Sequence, residues 1–211
     1  MPLIKLEEIG HQAAWAMWEI KEELPQLKDQ ILPEYDRLDE LSKIHHKEKR
    51  QEWLASRLAA QSLLQHFNTP FRGIFKDNHG KPHFVDSPYH LSLAHSFPYA
   101  VAIIDRQNAV GIDIERPRPK LKRIAPKFLN SDEAKSANQD LIKLCWYWAA
   151  KETLYKIYGR KKLIFSENIA IDHFDPEIDK ILTGRVIINR KNTEYRLKIY
   201  TYQGFFICHN C

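Results

Sequence analysis

Between Leu141 and Tyr158 the chain carries apolar side chains on most sides of a helical wheel: Leu141, Leu144, Cys145, Trp146, Trp148, Leu154, Tyr155 and Ile157 all need cover. Such a helix is stable only when largely buried, so the rest of the chain has to enclose it. Glu152 lies four residues after Trp148 and three before Tyr155, which continues the apolar stripe with a carboxylate. A charge there is costly unless it is paired or bound to a metal. Lys156 follows one turn on. The plainer reading is a Glu-to-Lys helix pair worth a few tenths of a kcal/mol; burial favours a site.

The chain supplies enough material for that enclosure. Its 211 residues, 44% hydrophobic, suit one sizeable domain or two small ones sharing an interface, and argue against disorder. The N-terminus meets charge at Lys5, Glu7 and Glu8, too soon for a signal-peptide core, and no later stretch could span a bilayer. A soluble, cytoplasmic protein is expected, with no membrane partner. Three cysteines, Cys145, Cys208 and Cys211, are too few and odd in number for a disulfide framework.

Periodicity divides the chain into two comparable parts. His11 to Ile20 alternates as a half-buried strand, Pro25 and Pro33 punctuate a loop, and a helical pattern runs from about Tyr35 to Phe67, with Leu38, Leu41 and Ile44 in a first helix and Trp53, Leu54, Leu58 and Leu64 in a second. The turn Asp77-Asn78-His79-Gly80-Lys81-Pro82 leads into apolar runs at Tyr89 to Leu93 and Tyr99 to Ile104, expected to be paired strands around His95. Asp105 to Asn108 is the best polar break. It predicts an N-terminal α+β half over 1–107 and a C-terminal half over 108–211. The second half repeats the plan: a strand ending at Glu115, a helix from about Ser131, the long helix, then strands near Ile169, Val186 to Ile188, Tyr195 to Tyr202 and Phe205 to Ile207. Trp53-Leu54-Ala55-Ser56-Arg57 echoes Trp148-Ala149-Ala150-Lys151-Glu152, as a duplicated unit would.

In the strand Gly111-Ile112-Asp113-Ile114-Glu115, residues two apart face the same way, so Ile112 and Ile114 can enter a core while Asp113 and Glu115 project together. Two carboxylates about 6 Å apart repel by roughly 2 to 3 kcal/mol at an effective dielectric near 20, a cost a divalent cation reverses. Oxygen-only ligands suit magnesium. The same pentapeptide also fits an ordinary solvent-facing strand. His95 falls at a strand end, where site residues are often displayed, although a lone histidine is usually structural. Zinc finds no support in His79, His83 or the His45-His46 pair, and Cys208-His209-Asn210-Cys211 reads as a frayed tail. No glycine-rich phosphate loop and no nucleophile elbow are present.

Taken in order, Gly80-Lys81-Pro82, Leu91-Ser92-Leu93-Ala94-His95-Ser96, Gly111-Ile112-Asp113-Ile114-Glu115, Phe128-Leu129-x-x-x-Glu133 and Trp148-x-x-Lys151-Glu152-x-x-x-Lys156-x-x-Gly159 resemble the 4′-phosphopantetheinyl transferase superfamily, specifically its long, surfactin-activating type built from two similar halves. The resemblance implies an α+β fold with pseudo-twofold duplication and an active site at the interface of the halves. It implies magnesium held by Asp113, Glu115 and Glu152 against the diphosphate of coenzyme A. Glu152 would act as or position the base that deprotonates a carrier-protein serine, while Lys156, His95 and Lys81 would contact phosphates. Arg50 and Arg57 are the arginines expected to grip the 3′-phosphate, their planar forks being suited to it. The implied partners are coenzyme A and an apo acyl or peptidyl carrier protein, and the joined halves imply a monomer. Ala94 stands where a serine is common in this type, and Arg160 where a second glycine is common.

A net charge of +5 and a pI near 9.0 leave a competing class, a nucleic-acid-binding protein. Its basic clusters would be 47–50, 116–123 and 160–162. Against it, Trp146, Tyr147, Trp148, Tyr155 and Tyr158 follow core helical spacing rather than interleaving with basic residues on an exposed face. No nucleic-acid partner is therefore expected. A third reading, a catalytically dead relative that only binds carriers, is disfavoured by the presence of Asp113, Glu115, Glu152 and Lys156 together.

Overall fold

The computed structural model describes residues 2–31, 38–160 and 162–211, with the side chains of Leu38 and Asp39 also left aside. The loop expected at Pro33, the helix start near Tyr35, the Leu38 side chain and Lys161 of the third basic cluster lie outside the described residues. Packing divides the chain into two compact units, Met1–Val110 and Gly111–Cys211. Both are α+β. Among the described residues no helix is long and apolar enough to cross a membrane.

The first unit runs β1 (Leu3–Gly10), β2 (Ala13–Glu19), α1 (Leu24–Gln30), α2 (Leu38–Ser42), α3 (Lys47–His66), β3 (Ile74–Lys76), β4 (Pro82–Phe84), β5 (His90–Ser96) and β6 (Tyr99–Asp105). An antiparallel sheet of order β1-β2-β6-β5 packs beneath α3, and β3 pairs with β4 separately. Small side chains set the helix close to the sheet. Ala14 and Ala16 of β2, paired with Ile104 and Ala102 of β6, share one core cluster with Ala55, Ala59 and Leu63 of α3. The expectation of a half-buried strand at 11–20 is corrected here: Trp15 and Met17 on the other face are buried as fully as the alanines. Their bulk and apolar chemistry already favoured cover, which strict alternation obscured.

The second unit runs β7 (Ile112–Glu115), α4 (Lys120–Phe128), α5 (Ser131–Ala137), α6 (Leu141–Tyr158), α7 (Phe165–Asn168), β8 (Ile169–Ile171), β9 (Ile181–Ile188), β10 (Lys191–Tyr202) and β11 (Phe205–Asn210). Its antiparallel sheet has the order β7-β11-β10-β9-β8, with α6 packed across it. Each unit thus has one core plan. The strand preceding the helices pairs with the unit's last strand, which pairs with the one before it: β2-β6-β5 in one unit and β7-β11-β10 in the other.

Local chemistry fixes the ends of α6. Asp140 caps its first turn by accepting from the Lys143 N–H, and Gly159 ends it in the left-handed region at φ +66°. The tail is not frayed: Cys208 and His209 sit buried in β11, paired to Asp113 and Ile112 of β7. Its neighbours lie almost a hundred residues away in sequence, so local reading could not see them. Helix α4 was likewise unexpected, because Pro117, Pro119 and Pro126 interrupt its basic run.

Gly111, just before β7, determines how closely that strand approaches α6. A Cβ there would run into the Thr153 carbonyl oxygen and stand 2.7 Å from Ile157 Cγ1. The Thr153 hydroxyl lies 2.9 Å from Ala149 O and 3.0 Å from Cys208 O, tying the same helix turn to β11. Gly111→Ala should therefore destabilise the protein by about 1–3 kcal/mol, the usual range for overpacking. Urea unfolding measures it, and a stability equal to the parent's would contradict the contact.

Candidate active site

Strand β7 and helix α6 bring Asp113, Glu115, Glu152 and Lys156 into one electrostatic cluster in the second unit. Asp113 is buried, and its Oδ1 accepts from Lys156 Nζ at 2.7 Å. The same ammonium donates to Ile112 O at 2.9 Å. Asp113 Oδ2 is buried with no hydrogen-bond partner among the described residues. Glu115 is half-buried, with Oε1 3.3 Å from the indole N–H of Trp148. Burial, then the Asp113 charge, pushes the Glu115 carboxyl above its ordinary range. Glu152 is pushed up to about 7, first by burial and then by Asp113, with Lys156 pulling the other way and Glu115 adding to the rise.

Three carboxylates thus share a poorly solvated region with one ammonium among them. Among the described residues no three His, Cys, Asp or Glu side chains already stand in a metal-holding arrangement. The donor set nevertheless fits a hard divalent cation: all oxygen, mutually repelling, and with a buried Asp113 oxygen lacking a partner. Rotation of half-buried Glu115 and Glu152 is what closure on an ion would need.

Lys151, adjacent to Glu152, does different work. Fully buried, its Nζ reaches Glu133 Oε2 at 2.7 Å and donates to Phe165 O at 2.9 Å and Ile169 O at 2.6 Å. Glu133 accepts from the backbone N–H of Asn130 and of Ile171, both at 2.8 Å. Burial lowers the ammonium's pKa, and the Glu133 charge opposes that shift. The pair ties α5, α6, α7 and β8 into one frame. Residue reading alone missed it, since no helical spacing links positions 133 and 151; only the family pattern contained both.

A cleft of about 580 Å³ opens beside Glu152, lined by Phe128, Trp148, Tyr155 and Phe165, with Lys120 and Lys127 of α4 contributing charge. Trp148 contacts Phe128 edge-on at 5.1 Å between ring centroids, and Phe165 lies 5.7 Å from Trp148 and 5.4 Å from Tyr155. By contrast Trp146 and Tyr147 are buried in the core, unavailable for stacking on bases.

The remaining expected groups belong to the first unit. His95, near the end of β5, has an exposed side chain, and its Nδ1 lies 3.2 Å from Glu52 Oε2. Lys81 follows a turn in which Asp77 accepts from the N–H groups of His79 and Lys81; burial lowers the Lys81 pKa, with Asp77 opposing. Arg50, in the first turn of α3, has a buried Nε with no hydrogen-bond partner among the described residues. Arg57 is placed differently. Its guanidinium stacks on Trp53 at 3.4 Å, donates to Trp53 O and stands 3.8 Å from Glu40, all while buried. Its fork is engaged inside the unit.

An α+β chain with clustered carboxylates and a lysine on one strand–helix pair has the donor chemistry to hold a hard divalent cation. Residues 109–204 match the family model described as the 4′-phosphopantetheinyl transferase superfamily. The 4′-phosphopantetheinyl transferase AcpT of Escherichia coli K12 is 30% identical over 119 residues, covering 53% of this chain and 59% of the relative. The 4′-phosphopantetheinyl transferase Sfp of Bacillus subtilis 168 is 27% identical over 131 residues, covering 59% of this chain and 55% of the relative. The matched stretch thus spans less than two thirds of either relative. The likeness to the 4′-phosphopantetheinyl transferase superfamily thus lies in residues 109–204, almost all of them in the second unit.

Proposed function

We propose that the protein transfers 4′-phosphopantetheine from coenzyme A to a serine of an apo acyl or peptidyl carrier protein, releasing 3′,5′-ADP. The observation that carries this reading is the coupling of Asp113, Glu115 and Glu152 beside Lys156. In the reaction the serine oxygen forms a bond to the β-phosphorus, the bond from that phosphorus to the leaving 3′,5′-ADP oxygen breaks, and the serine proton passes to Glu152 directly or through a water. A base held near neutrality is suited to that step. Lys156 would supply positive charge to the phosphates, and by the family resemblance His95, Lys81 and Arg50 would contact them. Asp113, Glu115 and Glu152 would hold magnesium, which when bound neutralises diphosphate charge.

The aromatic cleft beside Glu152, with Lys120 and Lys127, offers apolar area and positive charge to an acidic, amphipathic carrier. A cytoplasmic monomer completes the proposal. Incubating the protein with coenzyme A, magnesium and several apo carriers, followed by intact mass measurement, should show one phosphopantetheine added to at least one carrier. No gain on any of them, with salt-sensitive binding to nucleic acid instead, would replace this reading by the basic nucleic-acid binder.

A further inference from the structure

Glu52 of α3 is a carboxylate that the reaction as described does not use, yet it is almost fully buried, its side chain 2% exposed. Three groups converge on it. Phe97 N–H donates to Oε1 at 2.9 Å, while Lys49 Nζ at 2.6 Å and His95 Nδ1 at 3.2 Å stand at ion-pair distance from Oε2 without hydrogen-bond alignment. Both nitrogen partners of Oε2 are much more exposed than the acid, at 56% for Lys49 and 41% for His95. Burial would raise the Glu52 pKa, but His95 first and then Lys49 outweigh it and hold the carboxyl down to about 2. The acid is therefore charged under all ordinary conditions.

The hydrogen bond to Phe97 needs only a neutral acceptor. A carboxylate at this depth answers to the ammonium of Lys49 and the imidazole of His95. We propose that Glu52 is a positioning residue for His95: its buried charge draws Nδ1 toward Oε2, favours the proton on that nitrogen, and so commits Nε2 of the exposed ring to the anionic ligand. An unanchored imidazole would sample several rotamers and both tautomers, and ligand binding would have to select one. The Phe97 N–H holds the other carboxylate oxygen to the backbone, so the acid stays in place as the ring meets its ligand. This rests on the phosphopantetheinyl transfer reading, in which His95 meets coenzyme A phosphate.

Glu52→Gln is the informative change, because the amide oxygen can still accept from Phe97 N–H. Loss of the anchor should raise the coenzyme A KM about tenfold, as for loss of one charge-assisted contact, with kcat changed far less. In a His95→Ala background, Glu52→Gln should then change KM less than twofold, since the residue acts through the ring. Equal effects in both backgrounds would reduce Glu52 to a structural acid and overturn the proposal. A second measurement is independent of activity and of the variant's folding. Nitrogen chemical shifts of the wild-type His95 ring should show Nδ1 protonated, and adding 3′,5′-ADP should move the Nε2 resonance. A proton on Nε2 alone overturns the anchor. Nδ1 protonated without any carrier modification would leave the anchor standing and remove the transfer reading instead.

Discussion

Glu152→Gln should abolish carrier modification, by about a thousandfold or more, and at the same time make the metal-free protein more stable above neutral pH. The first effect follows from loss of a carboxylate assigned both to the proton and to the cation; general-base removal alone costs about 10²–10⁴-fold. The second follows from the sign of its pKa shift. Glu152 is raised to about 7 from an ordinary 4.5, so the fold prefers the protonated acid. The stability this gives is complete below pH 4.5 and is lost as pH rises through 7. At pH 8 the wild-type protein holds an ion that burial, Asp113 and Glu115 all oppose, and glutamine removes that cost. Partial exposure and relaxation reduce the full linkage value to about 1–2 kcal/mol, or roughly 3–6 °C in Tm for a chain of this size. Magnesium should narrow the gap by binding the wild-type site. Thermal melts at pH 5 and pH 8, with and without magnesium, measure this alongside the transfer rate. Wild-type transfer by the glutamine variant would remove Glu152 from the site, and identical melts at pH 8 would contradict the crowding of charge around it.

Lys151→Met should cost about 3–5 kcal/mol, the range for stranding one member of a buried ion pair. Glu133 would remain in the interior without its ammonium, and the carbonyls of Phe165 and Ile169 would each lose a donor. For a chain of this length the melting point should fall by roughly 10 °C. Apolar replacement of both partners often restores such sites, but here only in part. Glu133 also serves the Asn130 and Ile171 N–H groups, so a Glu133→Leu, Lys151→Met double variant leaves backbone polar groups on both sides unpaired. The double variant should therefore recover some, and less than all, of the loss. A single variant within 1 kcal/mol of the parent in urea unfolding would show that the pair is not sustaining the frame.

What was legible in the sequence depended on how far its cause reached along the chain. Helix α6 and strands β5, β6 and β9 to β11 announce themselves through local period and were anticipated close to their places. Strand parity put Asp113 and Glu115 on one side of β7, and the apolar stripe of α6 singled out Glu152. Parity did not foresee that Asp113 would be buried, because its cover comes from β11 and from Lys156, both distant in sequence. The buried tail and the second covered face of β2 were lost for the same reason. Helix α4 was hidden by its own prolines. Glu52 carried one usable signal, an acid beside Trp53 and Leu54 in a helix whose neighbours are apolar, but its link to His95 runs from α3 to β5 across the intervening strands and no spacing rule encodes it.

The close approach at Gly111 has a consequence for how such a protein can be redirected to new substrates. Main-chain contact at that glycine, together with the Thr153 hydroxyl, gauges the gap between β7 and α6, so the carboxylate spacing is set apart from the cleft-lining side chains of segments 120–128 and 165–168, with the Phe165 carbonyl tied to Lys151. Those segments supply Lys120, Lys127, Phe128 and Phe165 to the cleft. Grafting them from a relative would exchange the docking surface as a cartridge, while the reacting groups stay in calibration.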